Sequence, residues 1–189
     1  MTINEMKDRA YKIACEHGWY DEEHSLIHHL MLVITELSEA VNADRKKKYA
    51  QREMFERESV TPQANPEEHW CYCYHTFIKD TVEDELADSV IRILSLAGQA
   101  KADLDERLFD EGDIREAVKA GHEDSPFTEQ VFTIVYELTS KHIDENWSLT
   151  MIMLHVFLLS YDRGIDLHWH IEQKLKYNEH RSYKHGKAY

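Results

Sequence analysis

Glu36 and Glu39 in ITELSEA stand three residues apart, and Glu85 and Asp88 in EDELADSVIRIL repeat the spacing. Residues three apart are neighbours on one face of a helix. Packing two such faces together would converge four carboxylates, which cannot all stay ionised at close range without cations. Mg²⁺ suits that demand: it is hard, prefers oxygen, and is held by a few carboxylates together with waters and substrate phosphates. Mn²⁺ is a workable substitute. Spacing alone leaves another reading open. The chain has 36 acidic residues, so pairs three apart also arise by chance, as at Glu53/Glu56 and Glu5/Asp8. Glu85, Asp88 and Arg92 lie opposite Val82, Leu86, Val90 and Ile93 on a helical wheel, which also fits a solvated face. Glu36 and Glu39 follow the apolar run LIHHLMLVI, where an unpaired carboxylate is costly.

A second group of residues reverses the charge. Lys174, Lys176, Arg181, Lys184 and Lys187 face only Glu179 near the C-terminus. Lys174, Asn178 and Arg181 can share neighbouring turns of one helix, with His185 and Lys187 just beyond. That set can clamp phosphate oxygens, or it can be a solvated helix end whose cations suit its dipole. Arg45, Lys46, Lys47, Lys48 and Arg52 read as a solvated helix end, with phosphate contact as the alternative because Arg45 lies just after the helix of Glu36 and Glu39. Trp19 can stack on a base with His24 or His28 at its edge, or it can be a core residue. HWCYCYH puts His69, Cys71, Cys73 and His75 on one face if extended. Four ligands along a strand span about 20 Å at ~3.3 Å per residue, whereas zinc needs all of them within about 2.3 Å. Aromatic packing is the better reading there. A di-iron carboxylate bundle requires Glu-x-x-His on two helices, and no glutamate has histidine three residues on.

Apolar periodicity predicts helices over most of the chain. The first spans roughly Asn4 to His17 on a stripe of Ile3, Met6, Ala10, Ile13 and Ala14, with Gly18 as its stop. The second spans Ser25 to Arg45 on Ile27, Leu30, Ile34, Leu37 and Val41. Charge-dense Asp44 to Glu68, with two of the three prolines, reads as an insertion or loop with room for helical turns at its start, and as a candidate lid. A third long helix begins at His75 or Lys79 and ends at Lys101. A polar stretch with a short helix follows. Further helices span Thr128 to His142, Ser148 to Arg163, and Asp166 to His180, and RSYKHGKAY is an irregular tail. ADSVIRILSLAGQAKADL aligns without gaps on TMIMLHVFLLSYDRGIDL, and LMLVITEL on VFTIVYEL, placing Glu36 on Glu137. This suggests a degenerate duplication of a helix pair, or chance likeness of apolar pattern. Met151, Ser148 and Ser140 would replace Asp88, Glu85 and Glu39, so only the first copy could bind metal.

Composition narrows the class. With 189 residues, 42% hydrophobic and 31% charged, the chain suits one globular domain, residues 1–189. Six glycines and three prolines disfavour a turn-rich all-β fold. A net charge of −14 argues against a nucleic-acid partner, and makes a polyphosphate ligand dependent on intervening cations. Three cysteines without framework spacing, no signal peptide and no run of spanning length predict a soluble, cytoplasmic protein with no membrane partner.

ELSEA followed by EDELADSVIRIL resembles the ExxE…ExxD signature of the all-α nucleoside triphosphate pyrophosphohydrolases, the superfamily of MazG, the dimeric dUTPases and the dCTP pyrophosphatases. KLKYNEHRSYKHGK is similar to that family's K-x-x-x-N-x-x-R run, and HGWYDEEHS to the tryptophan-containing segment ahead of its metal helix. The matched segments cover roughly Ala14 to Asn42, Lys79 to Asp103 and Ile165 to Lys187. The resemblance implies an all-α bundle with Mg²⁺ on Glu36, Glu39, Glu85 and Asp88, and one of Glu36 or Glu39 positioning the water. It implies triphosphate contacts from Lys174, Asn178, Arg181, His185 and Lys187, and hydrolysis of a (deoxy)nucleoside triphosphate to monophosphate and pyrophosphate in nucleotide-pool housekeeping. The family often builds its sites across subunits, and the many apolar faces of this chain need cover, which predicts a homodimer. Thr35 stands where the family often has a further glutamate, which leaves the number of metal ions open. A non-catalytic helical module that binds nucleotides or a protein is the alternative.

Overall fold

Hydroxyl caps start the three helices that matter most. Thr2 closes a capping box with Glu5, the Ser25 hydroxyl accepts from the His28 amide, and the Thr81 hydroxyl accepts from the Asp84 amide. The computed structural model describes residues 1–121, 125–140 and 147–186. Among these residues the fold is all-helical, with no strand. In chain order the helices are α1 (Ile3–Glu16), α2 (Leu26–Arg45), α3 (Arg52–Ser59), α4 (Pro66–Phe77) and α5 (Val82–Gln99), then α6 (Glu111–Gly121), α7 (Phe127–Thr139), α8 (Trp147–Asp162) and α9 (Leu167–Glu179). Short 3-10 turns cover Glu106–Phe109 and Tyr183–Gly186. No described helix is long and apolar enough to cross a membrane.

Helix α5 is the axis of the molecule, in contact with α1, α2, α8 and α9. Its Leu86, Val90, Ile93, Leu94 and Ala97 are buried, and so are Asp84, Glu85 and Ser89 on other sides. The acid face of α5 is therefore not a solvated one. Helix α1 comes close enough at Gly98 that an added Cβ would lie 2.5 Å from the Tyr11 Cβ, so glycine is required there. Helix α1 buries the expected Ile3, Met6, Ala10 and Ile13. Helix α2 is rotated from expectation: Ile27 is 78% exposed, and the buried face is Leu30, Val33, Glu36, Leu37, Ala40 and Ala43.

The segment from Asp44 to Glu68 has its helix in the middle, flanked by non-helical residues 46–51 and 60–65. It contains α3 and leads into α4, and the two pack together around Phe55, Trp70, Cys73, Tyr74 and Ile78 as a small second core. Asn65 caps α4 and Pro66 opens it, a helix start that a reading of proline as a breaker misses. HWCYCYH lies inside α4 rather than in a strand. In a helix residues two apart diverge and residues four apart align, so His69 Nε2 lies 3.6 Å from Cys73 Sγ while the four residues form no common metal-holding cluster. The third long helix begins at Val82, not at His75 or Lys79. The tail closes on the rest of the chain: the Lys184 amide donates to the His17 carbonyl at 2.9 Å and the Tyr183 hydroxyl to Asp21 at 2.5 Å. The Tyr183 ring lies so close to Gly18 (φ +76°) that an added Cβ would be 2.1 Å from it.

Candidate metal centre and cleft

Burial of the α2 face carries Glu36 inward, where it is 3% exposed, while Glu39 stays at the solvent edge. Glu85 reaches them from α5, and oxygens of Glu36, Glu39 and Glu85 lie within 4.8 Å of one another. Oxygen ligands about 2.1 Å from Mg²⁺ sit up to about 4.2 Å apart across the ion, so small side-chain shifts fit a hard cation to these three. Burial, then the negative charges of Asp84 and Asp88, push the Glu85 carboxyl up to about 9. Glu36 is also raised, first by burial and then by Asp88, against the pull of Arg92. A cation would relieve both.

The chain already supplies two cations among these acids. Arg92, one turn beyond Asp88 on α5, places Nε 2.6 Å and Nη2 2.5 Å from Glu36 Oε1. Lys174 of α9 places Nζ 2.7 Å from Asp88 Oδ2 and 2.9 Å from Asp84 Oδ2. Burial alone would raise Asp88, but the Lys174 ammonium overrides it and holds the carboxyl below its ordinary range. Asp84 also accepts a short hydrogen bond from the Tyr74 hydroxyl and one at 2.9 Å from the Asp80 amide. Two expected site residues are placed apart from the others. Asp88 stands outside the cluster of Glu36, Glu39 and Glu85. Lys174 is 3% exposed and turned onto the carboxylates of Asp84 and Asp88 rather than into open space.

Glu36 also faces a cleft. Trp19, Tyr20, His24, His28, His29, Leu32 and Ile91 wall one part, and Asp88, Arg92, Ser95, Asn178, Arg181 and Lys184 line the rest. His24 stacks on His28 with ring centroids 4.2 Å apart, and the Tyr20 hydroxyl meets Ser95 Oγ at 2.9 Å. Burial raises the Tyr20 hydroxyl to about 12, so it stays protonated. Asn178 is 5% exposed, and its Oδ1 has no hydrogen-bond partner. A buried acceptor without a donor costs about 1–3 kcal/mol, a cost that a donor on a bound ligand removes.

Trp19, Asn178 and Arg181 thus line one cleft with Glu36. The side chain of His185 and all of Lys187 lie outside the described residues. Sequence reasoning overlooked Asp84, Tyr20, His29 and Ser95, and placed Arg92 only on a possible solvated face. Arg92 had a legible signal, since a residue four beyond Asp88 shares its helix face. Asp84 reads as one of the acids of a helix first turn, which hides its contact with α9. The aligned internal segments put His155 on Arg92 and Glu137 on Glu36, and His155 Nδ1 lies 2.6 Å from Glu137 Oε2. No family model, curated protein or solved structure matches this chain.

Proposed function

We propose that this chain is a Mg²⁺-dependent pyrophosphohydrolase that cleaves a (deoxy)nucleoside triphosphate to the monophosphate and pyrophosphate. The observation that carries the reading is the convergence of Glu36, Glu39 and Glu85 within 4.8 Å, with Glu36 shared by a cleft that has an aromatic wall and a basic one. A cation on those carboxylates would neutralise phosphate oxygens and lower the pKa of a bound water. Glu36 is tied to Arg92, so Glu39 is the freer carboxylate to orient the attacking water. Arg181, and Arg92 if it releases Glu36, present guanidinium groups to the triphosphate. Trp19, Tyr20 and His29 offer ring faces and edges to the base, and Asn178 Oδ1 accepts a donor from base or sugar.

The test is pyrophosphate release from a panel of nucleoside triphosphates with Mg²⁺, wild type against Glu39→Gln. The expected outcome is turnover of at least one nucleotide and a loss of about 10²-fold or more in the variant. Absence of turnover on every nucleotide rejects the enzyme reading. Arg92 on Glu36 and Lys174 on Asp88 favour one alternative, a bundle that binds nucleotides without hydrolysing them. Binding without pyrophosphate release would establish that alternative. The Glu137–His155 pair supports α7 and α8 as a degenerate copy of α2 and α5. Exposed Ile27 and Met31 on α2, and Phe132 and Tyr136 on α7, support the homodimer.

A further inference from the structure

The acids around α5 form two overlapping groups rather than one. Glu36, Glu39 and Glu85 are the first, and Asp80, Asp84 and Glu85 the second, each with oxygens within 4.8 Å of one another. A carboxylate shared between two such groups is the layout of a two-cation centre, in which the ions sit about 3.5–4 Å apart. The protein fills the two groups very differently. In the second, Lys174 Nζ lies 2.9 Å from Asp84 Oδ2, Lys79 Nζ 2.5 Å from Asp80 Oδ1, and Lys48 Nζ 3.5 Å from Asp80 Oδ2. Tyr74 and the Asp80 amide donate to the oxygens of Asp84 as well. The Lys174 ammonium also holds Asp88 at 2.7 Å and is closed off from solvent.

The first group has only Arg92, on one oxygen of Glu36. Among the described residues, the Glu39 and Glu85 carboxylates have no hydrogen-bond or ion-pair partner. The cleft that Glu36 lines also holds the unpartnered Asn178 Oδ1, an independent sign that something binds beside it. An ammonium and a divalent ion cannot share one pair of carboxylate oxygens, because their charges repel and their ligand shells overlap. We propose that Lys174 is a built-in cation occupying the second position, so that this centre takes a single divalent ion per chain, on Glu36, Glu39 and Glu85. The inference rests on the reading of the site as a metal centre, and it makes Lys174 a positioning residue rather than a substrate ligand.

Titration of the full chain with Mn²⁺, followed by the electron paramagnetic resonance signal of free Mn²⁺, tests it without reference to turnover. Wild type should bind one Mn²⁺ per chain, and Glu85→Gln should lose it. Lys174→Met removes the charge, and a folded variant should bind two. If Lys174→Met is unfolded without metal, Mn²⁺ should restore its helical circular dichroism. Two Mn²⁺ on wild type, a folded Lys174→Met that binds one, or an unfolded one that Mn²⁺ fails to rescue each overturns the proposal. Two ions on wild type would leave the metal centre and the pyrophosphate assay standing. No Mn²⁺ on wild type would remove the metal centre itself.

Discussion

His170 is buried on α9 with Nδ1 unpartnered, and burial, reinforced by the Arg52 charge, lowers its pKa from 6.5 to about 4. The folded state therefore favours the neutral ring. Its contribution is complete above the unfolded pKa and is lost as pH falls from about 6.5 towards 4. At 1.36 kcal/mol per unit this amounts to about 3 kcal/mol at most. Denaturant unfolding at about pH 7 and again near pH 4.5 should show a stability difference that shrinks in His170→Phe. An unchanged difference would mean that other groups carry the acid sensitivity. Gly18 allows a second test. Its φ of +76° penalises a side chain, and so does the Tyr183 ring, 2.1 Å from where a Cβ would lie. Gly18→Ala should cost about 1–3 kcal/mol, and less in a Tyr183→Ala background, where only the backbone term remains. Equal costs in both backgrounds would show that the ring moves freely.

At the scale of elements, the apolar stripes carry most of the fold. Ile3, Met6, Ala10 and Ile13 are buried as periodicity expects, and Leu86, Val90 and Ile93 hold α5 in the core. The elements that differ from expectation have physical reasons. Ile27 and Ile34 outweigh Val33 and Ala40 by size, which sets the expected α2 stripe on the wrong side of Glu36. Charge in REMFERES hides α3, which needs only Phe55 as a buried anchor. Lys174 is legible in one respect. It falls in line with Leu167, Ile171 and Asn178, all buried on α9, and a lysine in such a stripe must meet an acid. Which acid it meets is not legible, because 90 residues separate it from Asp84. The same distance in sequence hides why four carboxylates do not converge. Acids can be counted on two helices, but the cations among them arrive from α5 itself and from α9.

At the scale of the whole molecule, the buried acids around α5 couple folding to pH. Glu85 favours folding only while protonated. Its contribution is present below the unfolded value of 4.5 and is lost as pH rises through about 9. With EDTA, thermal stability should fall as pH rises across that window, and Mg²⁺ should flatten the fall by replacing the proton. Equal slopes with and without Mg²⁺ would argue against cation binding at Glu85. Helix α9 gives the same centre a second property. Asp84 and Asp88 are tolerable inside the bundle only once Lys174 arrives, and unpairing a buried ion pair costs about 3–5 kcal/mol. A chain ending before α9 would carry uncompensated charge at its centre. Docking of α9 would thus admit Asp84 and Asp88 to the core, so a fragment that stops short of Leu167 should not hold the acid site in folded form.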